Sequence, residues 1–269
     1  MKWAGGKRRV VPKLLERIRT PVGRYHEPFV GGGALFFSLA AKQPPEGEGI
    51  WATLTDMNMR LVRTYRGLKH DVDGVLERLA DYRDGHCETQ YYATRATDVD
   101  TSPDDADVAA WMIYLNRTGF NGLYRVNKKG RFNVPIGRYD NPTIRDEVNL
   151  RAVHRVLQRV DVRHADYTDV FYNAEAGDTV YFDPPYVPLS KTASFTAYTA
   201  GGFTPDDQVR LRDIAWEMKQ RGVNVVLSNH DTPEVRELYR DFDIQGIRVG
   251  RAINSKGGSR GKVGEVVVS

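Results

Sequence analysis

The string most able to do chemistry is Asp183-Pro184-Pro185-Tyr186, at the end of the short β-rich run 179–182. A carboxylate at Asp183 and the backbone carbonyl of Pro184 could each accept one N–H from a planar amine. The exocyclic amine of adenine is a poor nucleophile, because its lone pair is delocalised into the ring. Two fixed acceptors draw the nitrogen toward tetrahedral geometry and localise that pair. Prolines remove backbone donors and stiffen the turn, which holds the carbonyl in place. Tyr186 adds a ring face on which a flat base could stack. An accidental turn is the competing reading.

A second cluster precedes it in the chain. Gly31-Gly32-Gly33 follows a β-rich run over 24–30 and opens an Ala/Leu/Phe-rich helix over 34–41. Glycines at such a joint let backbone and ligand approach closely. Phe36 stands where a dinucleotide fingerprint needs its third glycine, and Gly261-Lys262 is followed by Val263 rather than the Ser or Thr of a phosphate loop. Asp56 ends the next β-rich run, 50–55, about 25 residues on, where a carboxylate can accept from both ribose hydroxyls. A turn without phosphate machinery beside a ribose carboxylate suits an adenosyl ligand such as S-adenosylmethionine, whose sulfonium methyl is already activated. Read alone, these residues would also fit an ordinary strand–turn–helix joint.

The elements that must position these groups read as α/β split by a helical insertion. Leu61, Val62, Tyr65 and Leu68 recur at helical spacing, as do Val72, Val75, Leu76 and Leu79, and 108–115 is a further apolar helix. Runs 123–126 and 131–134 flank Asn127-Lys128-Lys129-Gly130, a hairpin signature. From residue 149 the α/β alternation resumes. Thr204 caps a helix with Pro205 at its first position, running to about 220, and 223–228 is an apolar strand. Runs 244–249 and 265–268 could pair antiparallel at a sheet edge. The expected division is a discontinuous catalytic unit, 1–56 with 145–269, around a target-recognition unit, 57–144, whose hairpin lies at about 118–139. Tyr91, Tyr92 and the stripe from Trp111 to Tyr114 read as helix core.

With 269 residues, 41% hydrophobic and 28% charged, the chain has the composition of a folded globular protein, and its net charge of +4 leans toward an anionic partner. Between 117 and 139 there are six basic residues and no acidic one, which leaves the rest of the chain slightly negative. That stretch suits a phosphate backbone, or else is a solvated basic face. The aspartates at 98, 100, 104, 105 and 107 read as a solvated loop facing away from any phosphate. The single cysteine, Cys87, excludes an intramolecular disulfide and reads as a small buried or half-buried side chain. The six histidines show no metal spacing and read as structural or surface residues. No run is long enough to span a bilayer and the first residues lack the apolar core of a signal peptide, so a cytoplasmic protein is expected; a monomer is expected as well.

Several stretches, in order, give the chain a nearly full-length resemblance to the Dam-type DNA adenine-N6 methyltransferases. They are Lys2-Trp3-Ala4-Gly5-Gly6-Lys7, Glu27-Pro28-Phe29-Val30-Gly31-Gly32-Gly33, Leu115-Asn116-Arg117 through Phe132-Asn133-Val134-Pro135-Ile136-Gly137-Arg138-Tyr139, and Asp183-Pro184-Pro185-Tyr186. Ser228-Asn229-His230-Asp231 and Gly257-Gly258-Ser259-Arg260 also fit the pattern. The resemblance implies a Rossmann-like methyltransferase fold with a mixed seven-stranded sheet. It implies S-adenosylmethionine as cofactor and S-adenosylhomocysteine as product, with no metal. Trp3, Lys7, Phe29, Gly31, Gly33, Asp56, Asp166 and Asp183 are implied to line the cofactor pocket, and Asp183, Pro184 and Tyr186 to serve the target adenine.

The resemblance further implies double-stranded DNA as partner and GATC as its site. Arg125 would read guanine with Asn121, Leu123, Pro135 and Tyr139 nearby, Phe120 would wedge into the base stack, and Arg117, Lys128 and Arg138 would complete the DNA surface. Thr118 and Phe120 stand where tyrosines are common in the family, and Tyr124 where a smaller residue is often seen. Two other readings stay open. One is methyl transfer to another planar amine or amide, RNA adenine or protein glutamine; those relatives tend to carry Asn in place of Asp183 and to lack the basic insertion. The other is a catalytically silent DNA-binding relative.

Overall fold

The structure, a computed structural model, describes Trp3, Lys7 and residues 10–20, 22–43, 49–186, 203–247 and 264–269. Its sheet contains β1 (Tyr25–Glu27), β2 (Ala52–Asp56), β3 (Val160–His164), β4 (Thr179–Phe182), β5 (Asn224–His230), β6 (Ile244–Ile247) and β7 (Glu265–Val268). The order is β3-β2-β1-β4-β5-β7-β6. Strands β1 to β5 pair in parallel, and β7 runs antiparallel between β5 and β6. The expected seven-stranded mixed sheet is therefore present. Residues of β1 and β4 are buried throughout, because helices cover both faces of a parallel sheet. The chain leaves β1 toward β2 on one side and returns to β4 on the other. Such a reversal, at the carboxyl ends of β1 and β4, is the place where open α/β sheets bind ligands.

The helices are α1 (Val11–Leu15), α2 (Ala34–Ala40), α3 (Met59–His70), α4 (Val72–Asp84), α5 (Glu88–Ala96), α6 (Asp105–Thr118), α7 (Glu147–Leu157), α8 (Val170–Asn173), α9 (Pro205–Gln220) and α10 (Pro233–Leu238). Short polar side chains start them. Asn58, Asp71 and Asp104 accept from backbone N–H groups of α3, α4 and α6, and Thr204 with Asp207 closes a capping box on α9. The run 108–115 is apolar without a break because α6 is packed on by α3, α4 and α5 together. One core joins these helices to Tyr25, Leu54 and Val162 of the sheet, and a second packs α8, α9 and α10 against Val180, Phe182, Val225 and Val266. Tyr91 and the stripe from Trp111 to Tyr114 are buried in the first core, as their pattern predicts. Among the described residues no helix is long and apolar enough to cross a membrane.

Three local expectations are corrected. The aspartates from 98 to 107 do not form a solvated loop. Asp104 caps α6, Asp105 and Asp107 fill its first turn, and the set pairs with arginines: Asp98 with Arg131, Asp100 with Arg60, Asp105 with Arg63, and Asp104 and Asp107 with Arg78. Negative side chains at a helix start meet uncompensated N–H groups, which favours this placement. Cys87 is exposed rather than buried. It is the N-cap of α5, where Sγ accepts from the Gln90 amide at 3.4 Å, a weak acceptor standing in for the usual oxygen. The hairpin has its turn but not two strands. Asn127 N–H reaches the Arg131 carbonyl at 2.9 Å and Gly130 sits at φ +73°, yet the pairing is confined to two isolated bridges, Val126 with Phe132 and, further from the turn, Gly119 with Ile136. Pro135 offers no donor to extend it.

Candidate active site

The turn after β1 is shaped by its neighbours. Gly31 and Gly33 take φ of +45° and +61°. A Cβ on Gly31 would fall 2.8 Å from the indole of Trp3, so glycine lets Trp3 close over the turn. The Tyr65 hydroxyl donates to the Gly31 carbonyl at 2.8 Å, and Asp56 Oδ2 accepts the Gly31 N–H at 3.1 Å. Asp56 Oδ1 takes the Asn58 N–H at 2.8 Å; burial pushes this carboxyl's pKa up, against those amide bonds. One strand further out, beyond β2, Asp166 follows β3 and accepts the Thr168 N–H and hydroxyl at 3.0 and 2.7 Å. Phe29 stacks on Tyr167 at 5.4 Å and meets the edge of Phe203 at 5.8 Å. Tyr167 and Phe203 carry no motif and were not among the expected site residues.

The turn after β4 is held more tightly. Asp183 Oδ1 lies 3.1 Å from Lys7 Nζ and accepts the Ser228 hydroxyl at 2.8 Å; Ser228 in turn bonds the Tyr181 hydroxyl at 2.9 Å. Both side-chain partners of Asp183 among the described residues therefore use the same oxygen. Tyr186 donates its hydroxyl to Glu265 at 3.0 Å, has Lys7 Nζ 4.1 Å above its ring, and meets His230 edge-on at 4.5 Å. Gln208 of α9 donates to the Pro185 carbonyl at 3.0 Å, and Asn229 of β5 donates to Gln208 at 3.2 Å. Lys7, Asp183 and Tyr186 thus meet, and Gln208 and Glu265 join them unannounced by any motif. Asn229 and Ser228 belong to a stretch that the resemblance singled out without assigning roles. The Gly257 to Arg260 stretch lies outside the described residues.

Acidic side chains outnumber basic ones here, with Asp183 and Glu265 on either hand of Lys7 and Glu27 close behind. Glu27, at the end of β1, accepts the Tyr25 hydroxyl at 2.8 Å, and burial raises its pKa to about 8. Burial also raises Asp183, against the pull of Lys7 and the Ser228 hydrogen bond. Lys7 has to serve both Asp183 and Glu265, the latter at 3.8 Å. Two half-buried carboxylates, Asp183 and Glu265, sharing one lysine favour a ligand that carries its own positive charge. With the Gly31 turn and the Asp56 carboxylate, this donor set fits a sulfonium cofactor bearing a ribose. Among the described residues no group of three or more His, Cys, Asp or Glu could hold a metal ion.

The basic stretch forms a separate, exposed surface. Phe120, Asn121, Leu123, Arg125, Lys128, Pro135, Arg138 and Tyr139 are all exposed, whereas Arg117 is half-buried and pairs with Asp146 at 3.4 Å. Asn121 takes φ +55°, held in a short 3-10 turn whose Gly122 carbonyl accepts from Asn116 at 2.8 Å. The Tyr91 hydroxyl donates to the Val134 carbonyl at 3.0 Å and anchors the hairpin on α5. Arg125 reaches across it, Nε to Asn133 Oδ1 at 2.7 Å and a terminal nitrogen to the Asn133 carbonyl at 3.2 Å. The histidines that read as structural do hold structure. His26 lies 3.1 Å from Asp178, His86 3.0 Å from the Tyr114 hydroxyl and His154 2.9 Å from the Leu68 carbonyl. His230 is the exception, since it walls the ring of Tyr186.

Residues 3–253 match the family model for D12 class N6 adenine-specific DNA methyltransferases. The chain is 40% identical over 273 residues to the type II methyltransferase M1.LlaDCHI of Lactococcus lactis subsp. cremoris, covering 100% of this chain and 93% of that protein. It is 40% identical over 276 residues to the type II methyltransferase M.MjaIII of Methanocaldococcus jannaschii, covering 97% and 94%. Similarity to the DNA adenine methylase of Escherichia coli K12 is 35% over 270 residues, covering 99% and 93%. The strand-order reversal at β1/β4, a proline-stiffened carboxylate beside it and a match along nearly the whole chain agree, and the chain belongs to the D12 class of N6 adenine-specific DNA methyltransferases, a family that uses S-adenosylmethionine.

Proposed function

We propose that this chain methylates N6 of an adenine flipped out of duplex DNA, within GATC, leaving S-adenosylhomocysteine and needing no metal. The observation that carries the assignment of roles is the fixed Asp183, restrained at one oxygen by Lys7 and Ser228. What S-adenosylmethionine supplies when bound is an activated methyl on a sulfonium. Trp3, Phe29, Gly31, Gly33, Asp56 and Asp166 bind and orient it, with Asp56 at the ribose and Asp166 at the adenine. Asp183 and the Pro184 carbonyl each accept one N–H of the target amine, and Tyr186 stacks the base. The gain is that of correct placement of two reactants, supported by acceptors that need not reorganise.

Residues 57–144 act as the target-recognition unit, inserted into a catalytic unit of 1–56 and 145–269. Base flipping costs a few kcal/mol, which an inserted Phe120 ring offsets in part. Arg125 reads guanine O6 and N7 in bidentate fashion, and Lys128, Arg138 and Arg117 meet phosphates. Asn121, Leu123, Pro135 and Tyr139 surround the reading arginine. The test is transfer of labelled methyl to a GATC duplex, to duplexes altered at one base, to RNA and to glutamine peptides. Label at N6 of the GATC adenine is expected. Label confined to RNA or peptide overturns the DNA reading, and equal label in every altered duplex overturns the site.

A further inference from the structure

The two sites meet through one pair of rings. Trp3, which covers the Gly31 turn, stacks on Tyr124 with centroids 5.4 Å apart and planes at 23°. Tyr124 precedes Arg125 in the chain but, unlike its exposed neighbour, is buried. Its ring also packs on Phe132 of the opposite hairpin arm at 5.8 Å, and Phe132 packs on Trp111 of α6 at 5.6 Å. Arg60 of α3 donates to the Tyr124 hydroxyl at 3.4 Å while Asp100 holds the rest of its guanidinium. Tyr124 therefore touches the cover of the cofactor turn, the far arm of the hairpin and the helical core at once. Next to Arg125 the hairpin's own pairing is one isolated bridge, Val126 with Phe132, and the Asn133 N–H donated to the Arg125 carbonyl at 3.0 Å, so these ring contacts do much to set where Arg125 stands.

We propose that Tyr124 is a positioning residue that couples cofactor binding to guanine recognition through its stack on Trp3. Placing Trp3 over the Gly31 turn places Tyr124, and Tyr124 places the backbone of Arg125. Cofactor then strengthens cognate DNA binding, and cognate DNA strengthens cofactor binding by the same factor, since coupling between two sites is reciprocal. A flat ring is what the stack requires, and the hydroxyl is secondary. The inference rests on the assignment of the hairpin to DNA made above.

The experiment is calorimetric titration of the full chain with S-adenosylhomocysteine, alone and bound to a GATC duplex, and of the duplex with and without S-adenosylhomocysteine. The wild type should show mutual strengthening of about fivefold or more. Tyr124→Phe should keep the factor, while Tyr124→Leu and Tyr124→Met should bring it to near one. No mutual effect in the wild type, or the full effect in Tyr124→Leu or Tyr124→Met, overturns the proposal. Hydrogen exchange on the wild type guards against variants that fail to fold. Amides of 123–134 should slow when S-adenosylhomocysteine binds, and unchanged exchange overturns the coupling. A duplex that fails to bind, or whose affinity ignores Arg125→Ala, would instead remove the hairpin from DNA recognition. A duplex bound through Arg125 but indifferent to cofactor removes only the coupling.

Discussion

Around Asp183 each polar side chain is fixed by another that is itself buried or bonded: Lys7 and Ser228 at the carboxylate, Gln208 and Asn229 behind Pro185, Glu265 at Tyr186. Around Arg125 the anchoring lies beneath the backbone, in Tyr91 and Tyr124, and the side chains that would meet DNA stand in water. The difference follows from the two tasks. A carboxylate that must bind a weakly basic amine gains from a dry, preorganised site. Residues that meet a hydrated polyanion gain from exposed charge and from freedom to settle on it. Damage to the turn should therefore appear in kcat with DNA binding intact, and damage to the hairpin in DNA preference and salt dependence with the fold intact.

The sharpest break would come from Asp183→Asn. The amide keeps the shape of the carboxylate but carries no charge, and half its polar surface donates where the target amine also donates. We expect kcat to fall by on the order of a thousandfold or more, with duplex affinity little changed. Single-turnover transfer and a parallel binding titration measure both; a kcat within tenfold of wild type would show that Asp183 is not the acceptor.

Next in size is the effect of Glu27. Its pKa is about 8 in the fold against 4.5 for the free side chain, so protonated Glu27 stabilises the fold fully below pH 4.5, and the contribution is lost as pH rises toward 8. In Glu27→Gln the amide stays neutral and can still accept the Tyr25 hydroxyl. Relative to wild type, the variant should gain about 3 kcal/mol of stability between pH 5 and pH 8. Denaturant melts at the two pH values read the gain, and parallel pH slopes for the two proteins would contradict the buried-acid assignment.

Strand and helix cores were legible from the sequence because periodicity reports burial. The run 108–115 showed a buried helix and 179–182 a buried strand, and both are found. The turns were legible where one residue type is required, as at Gly31, Gly33 and the two prolines. Gln208 and Glu265 were not legible, since each acts through a partner far along the chain, Pro185 in one case and Tyr186 in the other. The aspartates at 98 to 107 were misread for the same reason. As a string they look like a solvated run, and only the fold brings Arg60, Arg63, Arg78 and Arg131 to them. Cys87 as a helix cap escaped because the preference for such positions belongs to oxygen-bearing side chains.

On the hairpin, Arg125→Lys keeps the charge and loses the fork that matches guanine. Discrimination at that base should fall by roughly 1–3 kcal/mol while the melting temperature holds, because the side chain is exposed. Competing methylation of matched and altered duplexes gives the number. Retained preference would move the reading role to a neighbour such as Asn121 or Tyr139.

The smallest effect distinguishes charge from reading. Lys128 sits at the exposed tip of the turn, beyond the last bridge of the hairpin, and makes no side-chain hydrogen bond or ion pair among the described residues. A side chain so placed can neutralise a phosphate but is not held in the geometry needed to read a base edge. Lys128→Ala should therefore weaken all duplexes alike and lower the slope of log affinity against log salt by about 1. Sequence preference should stay as in the wild type. If the slope were unchanged, the tip of the hairpin would lie off the DNA, and the contact surface would shrink toward Arg125 and Phe120. If preference changed while the slope held, the division between a charged tip and a reading base would be the wrong way to describe this surface, because a lysine would be reading a base where only phosphate contact is expected.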